Sequence, residues 1–147
     1  MEKLELDFEE DYEFEIISIV ASIKSYRLCA ILHKVFDLDF SREPDLEIAF
    51  KKKKVSRFDL FRYTDEIDKM DYYLIGNKSQ SDINEESEKT ALLLPELKMV
   101  DFIIKLEGFL ATEKKAKLVQ KLKQDPNIQT IIDTPINELK NKINLLF

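Results

Sequence analysis

Residues 92–108, LLLPELKMVDFIIKLEG, form the most apolar stretch of the chain. From residue 101 onward the side chains alternate, and one face carries Phe102, Ile104 and Leu106. A period of two is typical of a β-strand with one buried face, and Ile103 indicates that the other face is partly covered. We therefore predict that residues 101–107 form the central strand of a sheet against which the rest of the chain packs.

The composition favours a single globular domain spanning residues 1–147. Hydrophobic residues make up 44% and charged residues 35%, as expected for a core beneath a heavily charged surface. The net charge of −6 argues against general nucleic-acid binding and against docking on an anionic membrane. Cys29 is the only cysteine, so an intrachain disulfide and a multi-cysteine metal site are excluded. Without a signal-peptide pattern or an apolar run long enough to span a membrane, we expect a cytoplasmic protein.

The N-terminal half is predicted to contain strands and one helix. Residues 3–8 alternate like a short strand. Residues 12–21 fit either a strand or a helix, and the β-branched run within them favours the strand. A helix is predicted from Ser25, with Ser22 or Ser25 as its cap and its end near Asp37. Its apolar stripe is Leu28, Cys29, Leu32, Val35 and Phe36.

An antiparallel meander is predicted to follow the helix. Its strands lie at 46–50, 55–63 and 71–76, and a slip of the apolar phase in the second indicates a bulge or a strand buried on both sides. Residues 77–90 are polar and are predicted to form an exposed, mobile loop. Because Pro95 cannot donate to a ladder, the preceding leucines should form an edge strand or end one.

The C-terminal third is predicted to contain a helix, a strand and a second helix. The first helix is capped by Thr112 and buries Leu118, Val119 and Leu122. The strand spans 128–132. The final helix is capped by Thr134, and its buried stripe is Ile136, Leu139, Ile143 and Leu146. The predicted fold class is α+β: a mostly antiparallel sheet of five or six strands, one helix from the N-terminal half and two C-terminal helices.

The strongest charged motif is a run of four lysines with an arginine nearby. It comprises Lys51, Lys52, Lys53, Lys54 and Arg57. Such a run could contact the phosphates of RNA, but four lysines between two strands are more typical of a solvated hairpin tip.

The sequence has few residues that could support catalysis. His33, the only histidine, follows Cys29 by four residues, a spacing that could build a metal site or a nucleophile but more often reflects packing. With only two glycines, the phosphate-binding loop motifs are absent, and none of the acidic clusters has calcium-loop spacing. Arg27, at the start of a helix, opposes the helix dipole and is therefore predicted to pair with a carboxylate, with Glu96 and Asp101 as candidates.

Short motifs along nearly the whole chain carry a resemblance to a family. They are SYRLC at 25–29, LIGNKS at 74–79, LPE at 94–96 with DF at 101–102, and NLLF at 144–147. Together they resemble the IPExxxDY family of Bacteroidetes proteins. Leu94 and Phe102 stand where the motif has Ile and Tyr, and four residues instead of three separate Glu96 from Asp101. The resemblance implies a bacterial cytoplasmic protein, but it supplies neither an activity nor site residues.

These observations favour a non-catalytic protein-binding module of the adaptor or chaperone-like kind. The order of elements is also similar to that of class I type III secretion chaperones, although fold does not fix function. The predicted partner is another protein, with a homodimer as one form, and no cofactor is expected. The candidate partner-binding residues are Leu92, Leu93, Leu94 and Pro95. The alternatives are an RNA-associated factor using the lysine run, and an enzyme, which would need an apolar pocket with convergent polar groups.

Overall fold

The computed structural model describes residues 14–49, 55–80, 90–133 and 135–147. The strands in these ranges are β1 Phe14–Val20, β2 Ser41–Arg42, β3 Leu46–Ala49, β4 Val55–Phe58, β5 Leu60–Asp65, β6 Met70–Gly76, β7 Phe102–Glu107 and β8 Thr130–Ile132. The helices are α1 Ser25–Phe36 and α2 Ala111–Leu122, followed by 3₁₀ helices at Ile136–Glu138 and Lys142–Leu145. None of the helices found there has both the length and the apolar character needed to cross a membrane.

Six of the described strands form one antiparallel sheet in the order β2-β5-β6-β7-β1-β8, and β3 and β4 form a separate hairpin. Strand β7 lies inside the sheet between β6 and β1, so the prediction of a central strand at 101–107 is confirmed. The preference for a strand at 12–21 is also confirmed from Phe14 onward. The α+β class is therefore correct.

Both faces of β7 are buried. Phe102, Ile104 and Leu106 lie in the core that α1 and α2 cover. On the opposite face Ile103 is fully buried and only 1% of Lys105 is exposed. Since the loop before β7, the β3–β4 hairpin and the C-terminal segment all pack there, the second face is covered more completely than its sequence pattern indicates.

The phase slip at 55–63 is neither a bulge nor a strand buried on both sides. The segment contains two strands, because β4 ends at Phe58 and β5 begins at Leu60. These two strands belong to different sheets. Asp59 between them accepts hydrogen bonds from Ser25 Oγ at 2.8 Å and Gln80 Nε2 at 2.8 Å. These contacts fix the point at which the chain passes from the hairpin to the main sheet.

The predicted caps of α1 and α2 are wrong. Lys24 is the N-cap of α1, and neither Ser22 nor Ser25 caps the helix, because Ser25 donates its hydroxyl to Asp59 instead. Leu110, not Thr112, is the N-cap of α2. The end of α1 is as predicted, since Asp37 adopts a left-handed conformation with φ of 58° and stops the helix.

The predicted C-terminal α-helix is also wrong, because this segment forms two 3₁₀ helices instead. The backbone N–H groups of Lys140 and Asn141 donate to the Glu96 carboxylate at 2.7 and 2.8 Å, which removes them from any α-helical ladder. Leu139 is buried as predicted, whereas Leu146 is exposed. The predicted cap Thr134, the predicted strand at 3–8 and most of the predicted loop at 77–90 lie outside the described residues.

Candidate interaction surface

A buried asparagine holds the segment between β6 and β7 in place. The side-chain amide of Asn77 donates to the carbonyl oxygens of Leu97 at 3.0 Å and Val100 at 2.9 Å, and its Oδ1 accepts the Leu94 N–H at 2.8 Å. Its backbone N–H and carbonyl also bond residues of the 93–101 segment. Each polar group of Asn77 therefore has a partner in the chain. We call this arrangement the Asn77 clamp.

Glu96, in the motif that gives the family resemblance, has a structural role. Its carboxylate accepts hydrogen bonds from the backbone N–H groups of Lys140 and Asn141 and, at 2.9 Å, from the side-chain amide of Asn141. Burial alone would raise the pKa of Glu96, but the hydrogen bonds from the Asn141 side chain and from these backbone N–H groups outweigh it. They hold the pKa below its ordinary value of 4.5. Glu96 thus joins the C-terminal segment to the loop before β7.

This depressed pKa gives a pH-dependent contribution to stability. As the pH falls, Glu96 is protonated near pH 4.5 in the unfolded chain but only at a lower pH in the folded protein. Its contribution to the free energy of unfolding is therefore complete above pH 4.5 and disappears as the pH falls through the lower pKa of the folded state. We expect the difference in unfolding free energy between the wild type and Glu96→Gln to be constant above that pH and to shrink below it. Urea unfolding of both proteins across the acid range measures this. A difference that stays flat throughout would contradict it.

Asp101 also forms intrachain contacts, and Arg27 does not bind it. Asp101 accepts the backbone N–H of Ala21 at 2.9 Å and the ammonium of Lys78 at 2.7 Å. Arg27 is exposed and pairs with neither Glu96 nor Asp101. The predicted ion pair between the start of α1 and these carboxylates is therefore wrong.

The predicted partner-binding leucines lie mostly inside the protein. Leu93 and Leu94 are fully buried in the core behind β7, where no partner can reach them. Leu92 is half-buried and forms an isolated bridge to Lys78, and Pro95 is exposed. Because the Asn77 clamp turns this segment inward, it does not present the open sheet edge that the sequence predicts.

The structure gives no support to a catalytic or metal role for Cys29 and His33. Burial raises the pKa of the Cys29 thiol to about 11, which keeps it protonated and weakly nucleophilic at neutral pH. His33 faces Asp37 instead, with Nε2 3.5 Å from the carboxylate. Among the described residues no group of three or more metal-ligating side chains converges.

Of the residues predicted to contact nucleic acid, the structure describes only Arg57. Lys51, Lys52, Lys53 and Lys54 lie outside the described residues. Arg57 is on β4, where its guanidinium pairs with Glu47 of β3 at 3.2 Å. An RNA-associated role for the lysine run stays a prediction.

An open cavity of about 580 Å³ lies at the end of the sheet where β1 begins and β7 finishes. Aromatic, aliphatic and charged side chains surround it. The lining residues are Phe14, Lys69, Asp71, Lys105, Glu107, Gly108, Leu146 and Phe147.

Lys105 is held at this cavity inside a cage of aromatic rings. Its ammonium lies 4.9 Å from the ring centre of Phe14, 5.2 Å from that of Tyr73 and 4.3 Å from that of Phe147. It also donates to the carbonyl of Leu145 at 2.5 Å and pairs with Glu107 at 2.5 Å. The charge is therefore compensated within the chain, and Lys105 fastens the C-terminal segment to the sheet.

The acidic groups of the cavity are occupied too. Asp71 accepts hydrogen bonds from Thr64 at 2.7 Å and Arg62 at 3.0 Å. Burial alone would raise the pKa of Asp71, but these hydrogen bonds and the charges of Arg62 and Lys105 hold it below 3.8. An ionised carboxylate that accepts two hydrogen bonds and has a lowered pKa is a poor general acid or base near neutral pH. Asp71 is therefore not poised for proton transfer at this cavity.

Large apolar side chains stand in solvent beside this cavity. Phe109 is fully exposed and Ile67 is 92% exposed, and Leu146 and Phe147 are exposed as well. Gly108, next to Phe109, touches the turn that carries Ile67, since a Cβ added there would lie 2.8 Å from the Lys69 carbonyl oxygen. We define the sheet-end surface as the cavity together with Ile67, Phe109, Leu146 and Phe147.

The sequence pattern does not predict this surface. Ile67 is a lone apolar residue among acidic neighbours, and Phe109 directly follows the glycine that ends β7. Each is ordinary by itself, because single exposed hydrophobic residues are common. The available signal was a phenylalanine between a strand-ending glycine and a helix start, at a place where chain ends of several strands meet.

No protein-family model, curated protein or solved structure matches this chain.

Proposed function

We propose that this chain is a cytoplasmic, non-catalytic protein-binding module of the adaptor or chaperone-like kind, and that it binds its partner through the sheet-end surface. The observation that carries the proposal is the nearly complete exposure of Phe109 and Ile67 beside an open cavity. Clustered exposed apolar side chains mark interaction sites. Burying each of them would contribute about 1.5–3 kcal/mol, and an aromatic anchor next to a pocket is typical of a binding hot spot.

The state of the polar groups supports the non-catalytic part of the proposal. Three of the four charged side chains that line the cavity, Asp71, Lys105 and Glu107, are tied to intrachain partners, whereas the fourth, Lys69, is exposed and makes no ion pair among the described residues. The half-buried Cys29 thiol, whose pKa is raised to about 11, is protonated at neutral pH. For Asp71, Lys105 or Glu107 to take part in a reaction, contacts that hold the fold together would have to break.

Membership of the IPExxxDY family is part of the same proposal. It is supported by the short motifs that this chain shares with that family, of which Asn77, Glu96, Asp101 and Asn144 fasten the loop before β7 in this fold. The cytoplasmic location is supported by the acidic composition and the single cysteine.

The proposal is tested by affinity capture from cells of the source organism with three tagged baits. These are the wild type, the double variant Ile67→Ser/Phe109→Ser, and the matched control Tyr26→Ser/Met99→Ser. The control also removes two exposed apolar side chains, from the start of α1 and the loop before β7, away from the sheet-end surface. Quantitative mass spectrometry compares what each bait retains.

We expect a protein, or untagged copies of the chain itself, to be retained by the wild type and the control and to fall at least about tenfold with the double variant. Binding of the purified captured protein should show the same dependence. Equal retention by all three baits, or no specific retention by the wild type, would contradict the proposal.

A further inference from the structure

We propose that the partner seated on the sheet-end surface is a second copy of this chain, related to the first by a twofold axis. This inference rests on the proposed function and names its partner. A twofold interface uses the same surface on both copies, so that surface must be complementary to itself in shape and in charge. The sheet-end surface meets both requirements.

The shape requirement is met because a projection and a cavity lie side by side. Phe109 projects fully into solvent, and the neighbouring Gly108 lines the cavity. A cavity of about 580 Å³ has ample room for a phenylalanine side chain. The aromatic rings of Phe14 and Phe147 would provide apolar walls for it. In a twofold pair, Phe109 of each copy would enter the cavity of the other.

The charge requirement is met by the turn between β5 and β6. The carboxylate of Asp65 is already used within this turn, because it accepts hydrogen bonds from the backbone N–H groups of Ile67 at 3.0 Å and Asp68 at 3.1 Å. Asp68 is occupied as well, by an ion pair with Lys114 of α2 at 2.8 Å. The turn is therefore fixed by its own acidic residues.

Glu66 and Lys69 remain on either side of Ile67. Both are exposed, and neither makes an ion pair within the part of the chain that the structure describes. One negative and one positive charge around an apolar residue are self-complementary, because a twofold axis can place Glu66 of one copy against Lys69 of the other. On a chain with a net charge of −6, such local pairing is what lets two identical copies approach.

A charge-exchange experiment tests this arrangement. Glu66→Lys alone would place Lys against Lys in a pair, and Lys69→Glu alone would place Glu against Glu. We expect each single variant to raise the dissociation constant of the dimer at least about tenfold. An equimolar mixture should recover association, because both contacts become favourable in the mixed pair. Lys98→Glu, an exposed lysine outside this surface, is the matched control and should associate like the wild type.

Sedimentation over a wide concentration range gives the masses, and a fluorescent probe reports the contact itself. The chain contains no tryptophan, so Phe109→Trp introduces a single reporter. Its emission should move to the blue as concentration rises through the dissociation constant, and Phe109→Ser should weaken association about a hundredfold or more, since each pair loses two anchors.

Two results would overturn the inference. One is a wild type that stays monomeric at all concentrations, together with a Phe109→Trp variant whose tryptophan stays in solvent. The other is a mixture that associates no better than either charge variant alone. The proposed function fails separately: capture of a different protein that depends on Phe109 and Ile67 keeps the function and removes the second copy as partner, whereas capture that ignores these residues removes the function.

Discussion

Replacing Asn77 by alanine is expected to lower the free energy of unfolding by about 4 kcal/mol. The side chain makes three hydrogen bonds to the backbone of Leu94, Leu97 and Val100, in a site closed to water. Each backbone group left without a partner in the interior costs roughly 1–3 kcal/mol. The loss should be cooperative, because the same segment places Leu93 and Leu94 in the core behind β7.

Urea denaturation followed by far-ultraviolet circular dichroism measures this effect. The matched control is Asn127→Ala, which removes an exposed asparagine whose amide contacts only the adjacent Asp125. The control should change stability by no more than about 0.5 kcal/mol. If Asn77→Ala were as stable as Asn127→Ala, the clamp would not be a main determinant of the fold.

Gly108→Ala is the second substitution with a large expected effect, a loss of about 3 kcal/mol or more in the free energy of unfolding. Gly108 has φ of 139°, a conformation that residues with a Cβ rarely adopt. An added Cβ would also lie 2.5 Å from Met70 Sδ and 2.8 Å from the Lys69 carbonyl oxygen. The Met70 side chain can rotate away, but the Lys69 carbonyl belongs to the backbone and can move only if the whole 66–69 turn shifts. The sheet-end surface would then change shape as well.

Gly76→Ala is the matched control for this prediction. The nearest atoms to a Cβ at Gly76 are 3.7 Å away, an ordinary contact distance. We expect a change of less than about 1 kcal/mol, since alanine also restricts the unfolded chain. The same denaturation experiment compares both variants, and equal effects would show that neither the backbone angle nor the close approach matters at Gly108.

The strands and helices that could be predicted from the sequence are those with a clear local period. Strand β7 and helix α1 alternate or repeat so regularly that burial of one face leaves few other conformations. The C-terminal segment has a helical apolar pattern as well, yet it forms 3₁₀ helices. The backbone at Lys140 and Asn141 bonds the Glu96 carboxylate, 44 and 45 positions away in sequence, and no local pattern shows such a contact.

The candidate site could be predicted far less well than the fold. Its sequence predicts that the apolar run at 92–94 forms or ends an exposed edge strand, but Asn77 turns this run inward. Lys105 alternates with buried residues and is itself buried, because aromatic rings from β1, β6 and the C-terminal segment surround its ammonium. Ile67 and Phe109 become one surface only because Gly108 allows the 66–69 turn to approach β7. That proximity is a property of the folded sheet.

The residues that hold the fold together are different from those proposed to bind a partner, and one comparison tests this separation most directly. The unfolding free energy of Ile67→Ser/Phe109→Ser is measured at a dilution where the chain is monomeric, and association of the same preparations is measured at concentrations that span the dissociation constant of the wild type. We predict a free energy within about 0.5 kcal/mol of the wild type together with loss of association, because both side chains are in solvent in the monomer. A drop of several kcal/mol in stability, or association equal to that of the wild type, would contradict the account.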